Sequence, residues 1–284
     1  METKTLLMLK EKAAKNRMLS VDAVYGAKSG HPGGSLSIAD VITYLYFHKM
    51  NIDPENPNME SRDRFVLSKG HCAPALYAAL ATRGFFSEAE LKKLRKLGAM
   101  LQGHPDMKNT PGIDMSTGSL GQGVSAACGM ALVAKNKGLD WKVYTVLGDG
   151  EIEEGQVWEA AMFANHYKLD NLIAFIDCNG YQIDGAVEDV MNPHPVDEKF
   201  RAFGWFATVI DGHDFEAIDN AVAEAAASGK PAAIICKTVK GKGVSYMENN
   251  YTWHGKAPND NEFAIAEKEL YDAWMKAAED VKNG

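Results

Sequence analysis

The chain has 284 residues, 46% hydrophobic and 24% charged, with a formal net charge of −8. That length supports one large domain with a sizeable buried core, so disulfide-stapled mini-proteins are excluded, and the composition excludes disorder over most of the chain. The acidic balance argues against nucleic acid or an anionic membrane as partner, because neither gains from meeting net negative charge.

Leu6, Leu9, Ala13, Met18, Val21 and Tyr25 recur at near-helical spacing, which predicts an amphipathic opening helix ending near Ser29-Gly30. A second helix is expected over about 37–48, a short strand over 64–67, and another helix behind Ser87 and Glu90, a capping-box pair. Residues 115–134 are free of charge and long enough to span a membrane. Their first half, with Gly118, Gly121 and Gly123 among Ser and Thr, is too polar and glycine-rich, and reads as a loop entering a buried helix. From Trp141 onward, strands at 142–147, 171–177, 205–210 and 232–238 alternate with helices that include 156–167 and 215–227. Phe263, Ala266, Leu270, Trp274 and Ala277 place a last helix over 262–278, in a helical tail from about 259. The outline is α/β: a doubly wound, mainly parallel sheet with helices on both faces, in a single domain over 1–284.

The four cysteines, Cys72, Cys128, Cys178 and Cys236, are far apart and form no C-x-x-C pair, so a zinc knuckle has no basis and a reducing, cytoplasmic compartment is expected. Residues 1–12 carry two glutamates and no apolar run followed by small residues, so no signal peptide is expected there.

The most informative constellation starts at Gly148-Asp149-Gly150, directly after one apolar strand, and finishes at Asp177-Cys178-Asn179, directly after the next. Strands of a parallel βαβ unit run the same way, so Asp149 and Asn179 should emerge together at the carboxyl edge of the sheet. Taken singly, Asp149 is an ordinary helix cap and Asn179 an ordinary turn residue. Together, and with a backbone carbonyl, they form a hard-oxygen set suited to Mg²⁺ or Ca²⁺ and completed by phosphate oxygens. The start of the following helix adds an anion-favouring dipole end. A Rossmann dinucleotide site fits less well, since Glu153 stands where the third glycine belongs, and neither a Walker loop nor a nucleophile elbow occurs. The pattern resembles that of thiamine-diphosphate enzymes, in which G-D-G is followed by an asparagine on the same metal. Cys178-Asn179 replaces the two adjacent asparagines often found there.

Four of the eight histidines sit beside glycine in expected loops: His31 in Gly-His-Pro-Gly-Gly, His71 in Ser-Lys-Gly-His, His104 in Gln-Gly-His-Pro and His254 in Trp-His-Gly. Each alone is an unremarked packed or solvated histidine. As a group they suit a polyhydroxylated substrate, because imidazole both donates and accepts hydrogen bonds and shuttles protons near neutral pH. These segments, with Thr117-Gly118-Ser119-Leu120-Gly121-Gln122-Gly123, resemble the amino-terminal half of transketolase, in the same order and over nearly the whole chain.

The resemblance implies a thiamine diphosphate site with Mg²⁺, for which Ca²⁺ or Mn²⁺ could substitute. Asp149, Asn179 and the carbonyl of Tyr181 match the metal-ligand positions, and Gly150 matches a diphosphate contact. Gly118 and Leu120 match contacts on the pyrimidine side, where Ser119 departs from the proline of many relatives. His31 and His104 match histidines beside the reacting carbons, and His71 and His254 match those near diphosphate and substrate. Lys240 and Lys256 resemble lysines flanking the entrance, and Glu154 a glutamate near a partner's activating carboxylate. Full transketolases are about twice this length, so the resemblance implies an amino-terminal subunit of a split enzyme. Such a subunit transfers a ketol unit from a ketose phosphate to an aldose phosphate together with a carboxyl-terminal subunit carrying the pyrimidine-binding domain, in two copies of each chain. The alternatives are a split ketol transferase or deoxyxylulose-phosphate-synthase-like subunit with another sugar acceptor, and a non-catalytic cofactor-binding partner. Against the synthase stands the Trp253-His254-Gly255-Lys256 segment.

Overall fold

The computed structural model describes residues 1–284, beginning with helix α1 (Thr3–Ala27). Lys28 ends it in the left-handed region, at φ 50°, where its N–H reaches back to the carbonyls of Tyr25 and Val24. The buried stripe of α1 contains Leu9, Ala13 and Val21 as expected, and also Asn16 and Ser20, which periodicity of apolar residues cannot register. Asn16 is satisfied there by donating to the carbonyl of Ala75 at 2.9 Å.

The single helix expected over 37–48 is a correction: the chain forms α2 (Pro32–Ser37) and α3 (Ala39–Tyr44), broken at Ile38, then a π-helical turn over Leu45–Lys49. Pro32 opens α2 with φ already set for a helix. Within α2, other segments leave Gly33 and Gly34 no room for a side chain: a Cβ on Gly33 would lie 2.8 Å from the Trp253 carbonyl oxygen, and one on Gly34 would lie 2.6 Å from Cys72 Sγ.

Strand β1 (Arg64–Leu67) and helix α4 (Ala73–Arg83) follow. Ser87 does cap, accepting from the Ala89 amide at 3.3 Å, but what it caps is a 3₁₀ segment, Glu88–Lys93. The box is not completed, because the Glu90 carboxylate pairs with Lys93 at 2.6 Å instead of turning back to the cap. The charge-free stretch becomes a loop entering α5 (Gln122–Lys137), one face of which, with Val124, Ala127, Cys128 and Ala131, is buried within the chain. No helix is long and apolar enough to cross a membrane.

The remaining elements are β2 (Val143–Gly148), α6 (Gly155–His166), β3 (Leu172–Cys178), a small hairpin of β4 (Tyr181–Gln182) and β5 (Gly185–Ala186), α7 (Val187–Val190), α8 (Val196–Ala202), β6 (Phe206–Asp211), α9 (Phe215–Ala227), β7 (Ala232–Lys237) and α10 (Asp260–Asn283). The main sheet has the order β1-β2-β3-β7-β6, parallel throughout. Covered on both faces, β2 and β3 are nearly continuous apolar runs. Tyr144, Val146, Ile173, Phe175 and Ile234 pack into the core shared with α1, α3, α4 and α9. Leu147, Leu172, Ile176 and Ile235 pack into the core shared with α5, α6 and α8. Burying each such aliphatic side chain contributes roughly 1.5–3 kcal/mol. Helix α10 starts two residues before the expected 262 because Asn259 and Glu262 form a true capping box. It lies on α1, with Phe263 stacked on Tyr25 at 3.8 Å and Ala266 and Leu270 buried.

Candidate active site

Register builds the centre of the site. Gly148 pairs with Asp177 at the carboxyl ends of β2 and β3, so the next residues of both strands leave the sheet side by side. Asp149 is 3% exposed and its two oxygens accept from the amides of Gly150, at 3.0 Å, and Gly180, at 2.6 Å. Asn179, also buried, donates to Asp177 at 2.6 Å and accepts from the Tyr181 amide at 3.2 Å through the oxygen that would face a cation. Burial first, and then the charge of Asp177, pushes the Asp149 carboxyl up to about 6. No group of three His, Cys, Asp or Glu could hold a metal here. The donors available are one carboxylate, one amide oxygen and main-chain carbonyls, which fit a hard cation whose shell a diphosphate would complete. Gly150 packs close to the hairpin that follows β3: a Cβ there would sit 2.7 Å from Gln182 Oε1.

Behind these donors lies a charged layer that the sequence reading did not assign. Asp177 is 1% exposed and accepts from Lys69, from Ser37 at 2.7 Å and from Thr238, besides Asn179. Burial opposes its charge, but Lys69 and these hydrogen bonds hold its carboxyl below the ordinary value, and Asp177 in turn holds Lys69 above its own against desolvation. Glu151, 2% exposed, accepts from Ser68 and from the amides of Gly121 and Gly148, both at 3.0 Å, so it clamps the glycine loop before α5 to the end of β2. The available signal was an acid ending an otherwise apolar strand and a lysine in the same loop as His71; neither states its partner.

The four glycine-framed histidines meet around His31, whose ring centroid lies 5.3 Å from His71, 5.5 Å from His254 and 6.2 Å from His104. His71 and His254 stack at 4.9 Å. All are held neutral: burial and then Arg95 lower His31 to about 4, and burial and then Lys240 lower His254 to about 3. His71 and His104 are lowered too, by burial and then by Lys69 and Arg95 respectively. Arg95, also unassigned from sequence, donates to Ser29 Oγ at 3.2 Å and stands 3.5 Å from His31 Nδ1. Gly118, at φ +141°, lets the His104 ring approach to where a Cβ would be 2.8 Å away.

A cleft of 380 Å³ brings together His31, His71, Gly118, Leu120, Asp149 and Gly150 with Glu154, Asn179, Tyr181, Lys240 and His254. Glu154 is exposed at its rim. His104 does not line the cleft and reaches it only beside His31. One expectation is corrected. Lys240 is not at the entrance but in the wall, 2% exposed, donating to the Tyr181 carbonyl at 3.0 Å and meeting His254 Nδ1 at 3.2 Å; burial and then Lys69 lower it from an ordinary lysine. Lys256 lies outside the lining, paired with Glu262 at 3.1 Å and 4.3 Å above the Trp253 ring, because α10 begins beside it.

The fold is of the α/β class that binds thiamine diphosphate, a parallel sheet with ligand-facing loops at its carboxyl edge. Residues 9–275 match the family described as "Transketolase, thiamine diphosphate binding domain", and the chain belongs to that family. It is 49% identical over 255 residues to the 6-deoxy-6-sulfo-D-fructose transketolase subunit SqwG of Clostridium sp. (strain MSTE9), covering 93% of that protein. It is 44% identical to one of the subunits of the apulose-4-phosphate transketolase of Phocaeicola vulgatus, covering 95% of it, and 44% identical to human transketolase, covering only 42%. The crystal structure of transketolase from Campylobacter jejuni superimposes with a TM-score of 0.88 at 34% identity over 98% of this chain and 46% of that one.

Proposed function

We infer that the chain is the diphosphate-binding subunit of a split transketolase, one domain over 1–284 with a helical tail, that binds thiamine diphosphate with Mg²⁺, for which Ca²⁺ or Mn²⁺ could substitute. With a carboxyl-terminal subunit bearing the pyrimidine-binding domain, two copies of each, it transfers a two-carbon ketol unit from a ketose phosphate to an aldose phosphate in the cytoplasm. The observation that carries this reading is the Gly148–Asp177 register, which delivers Asp149 and Asn179 to one point beside four neutral imidazoles. Near end-to-end similarity to two proteins named as transketolase subunits supports the division into two chains. Four free cysteines support a reducing compartment.

In this reading Asp149, Asn179 and the Tyr181 carbonyl hold the cation, and Gly150 admits the diphosphate to the main chain. Gly118 and Leu120 face the pyrimidine side. The cofactor supplies the electron sink for the two-carbon fragment. His31 and His104 exchange protons with substrate hydroxyls, a role open to them because they are uncharged near neutral pH. His71 and His254 stand where diphosphate and substrate meet, and Glu154 on the rim faces the partner's carboxylate. The sugar is the point at which a second reading has support: the relative with 49% identity is named for a 6-sulfo sugar, so the distal anion of the substrate could be a sulfonate.

Assayed alone with thiamine diphosphate, Mg²⁺, ketose phosphate and aldose phosphate, the chain is expected to show no substantial turnover. Addition of the carboxyl-terminal subunit should restore it. Robust turnover in a preparation free of any partner would overturn the split-enzyme reading.

A further inference from the structure

Outside the cleft, on the far side of the segment that carries Lys240, lies a chain of charges centred on the buried Asp40, with no part in the site described above. Arg17 on α1 forms a two-pronged pair with Asp40 on α3, Nη1 to Oδ1 at 3.1 Å and Nη2 to Oδ2, and its Nε donates to the Leu36 carbonyl at 3.2 Å. His213, in the turn after β6, places Nδ1 2.7 Å from Asp40 Oδ2. Its other nitrogen, Nε2, accepts from the Val239 amide at 2.9 Å. An amide can only donate, so Nε2 carries a lone pair and the ring proton sits on Nδ1, donated to Asp40. Burial opposes charge on Asp40, yet Arg17 and His213 hold its carboxyl below the ordinary value, which fixes it as the acceptor for both.

Val239 lies past the end of β7 at Lys237, so its amide has no strand partner and His213 supplies the only acceptor it uses. The next residue is Lys240, whose ammonium meets the Tyr181 carbonyl and His254. Thr238 is tied to Asp177, and the Gly241 amide to the Gly33 carbonyl at 2.9 Å in the helix that follows His31. The segment 238–241 is thus held at each residue, and only the Val239 tie runs to a side chain remote from the cleft.

We propose that His213, oriented by Asp40 and Arg17, is a positioning residue that fixes the strap 238–241 and thereby the Lys240 ammonium in the cofactor cleft. A part-buried Arg–Asp–His chain is a costly way to satisfy one amide, since the Asp40 charge must be desolvated. What it confers is a single tautomer and a single ring orientation, the kind of support that keeps site residues in place. The link from strap to ligand rests on the cofactor reading given above.

The test compares the full wild-type chain with His213→Ala, which removes both contacts, and His213→Gln, whose amide keeps one acceptor and one donor at the same reach. Nitrogen-15 spectra of the wild type should show His213 protonated at Nδ1. Hydrogen exchange at the Val239, Lys240 and Gly241 amides should speed up in the Ala variant and return toward wild type in the Gln variant. Mg²⁺-dependent thiamine diphosphate affinity, followed by tryptophan fluorescence, should fall about 10-fold in Ala and less than about 3-fold in Gln, the scale of a lost supporting hydrogen bond. A proton on Nε2, unchanged exchange in the Ala variant, equal impairment of both variants, or faster exchange with unchanged affinity would each overturn the proposal. Failure of the wild type itself to bind the cofactor strikes the functional reading instead, and the tautomer and exchange results still decide whether His213 holds the strap.

Discussion

At the amino edge of the sheet, Asp63 and Asp114 are 7% and 9% exposed, nearly as buried as the 3% of Asp149 and 2% of Glu151 at the carboxyl edge. The amino edge even borders a larger cavity, 500 Å³ against 380 Å³. Its buried carboxylates, however, are closed on themselves. Asp63 gives one oxygen to the Asn51 amide at 2.8 Å and the other to the Lys142 amide at 2.7 Å. Asp114 takes Arg62 and the Phe65 amide at 2.8 Å. At the carboxyl edge a second carboxylate sits beside the Lys69–Asp177 pair, and the Lys240 ammonium and three imidazoles line one cleft, with His104 beside His31. Buried charge by itself therefore marks strand ends as readily as it marks a site. What distinguishes the site is buried charge, on Asp149 and Lys240, that lines open space beside other ionisable groups.

The comparison breaks most visibly at Lys69. Lys69→Met leaves Asp177 as a lone buried anion and should destabilise the chain by about 3–5 kcal/mol in urea unfolding. Pairing it with Asp177→Leu should recover a large part of that loss. An equal loss in the double variant would mean that packing, not charge, carries the layer.

Next in size are the cleft groups. Asp149→Ala should weaken Mg²⁺-dependent thiamine diphosphate binding by at least about 10²-fold, the scale of a damaged metal site. His31→Ala or His104→Ala should leave that affinity nearly unchanged and lower kcat/KM of the two-subunit enzyme by about 10²-fold. The reverse pattern, cofactor lost by the histidine variants with normal turnover at saturation, would exchange the assignments.

Asp63→Ala provides the amino-edge counterpart. Two main-chain amides, of Asn51 and Lys142, lose their acceptor, for about 1–3 kcal/mol of stability, and calorimetric titration should find cofactor affinity untouched. A loss of affinity there would dissolve the distinction between the edges.

The smallest expected effect is in acid. His31 and His254 are lowered to about 4 and about 3 in the fold, against about 6.5 in the unfolded chain. Between pH 6.5 and 4 the unfolded state thus binds more protons, and their contribution to stability, full above 6.5, falls as the pH falls. Asp149, raised to about 6, acts in the opposite sense, so the wild-type melting curve mixes the two. The difference in melting temperature between wild type and His31→Asn isolates the histidine contribution: the variant should lose less than wild type between pH 7 and pH 5. Parallel losses would show that His31 is not held neutral by the fold.

Much of this was legible in the sequence because it depends on local pattern. The apolar runs at 142–147 and 171–177 with a helix between them dictate parallel strands, and parallel strands deliver Asp149 and Asn179 to the same edge whatever surrounds them. Gly-framed histidines were visible as a set for the same reason. Other features followed from contacts between distant segments. Gly33 and Gly34 have no room for a side chain because Trp253 and Cys72 close on them. Lys240 is a buried ammonium because crossovers carry β7 between β3 and β6, which sets its strap against Tyr181, His254 and His213. The amino-acid sequence by itself determined which residues reach the carboxyl edge, since strand direction and period are properties of short stretches. Only the tertiary structure decided which of them are charged, neutral or paired there, because desolvation and hydrogen-bond partners come from segments as far apart as Asp40 and His213.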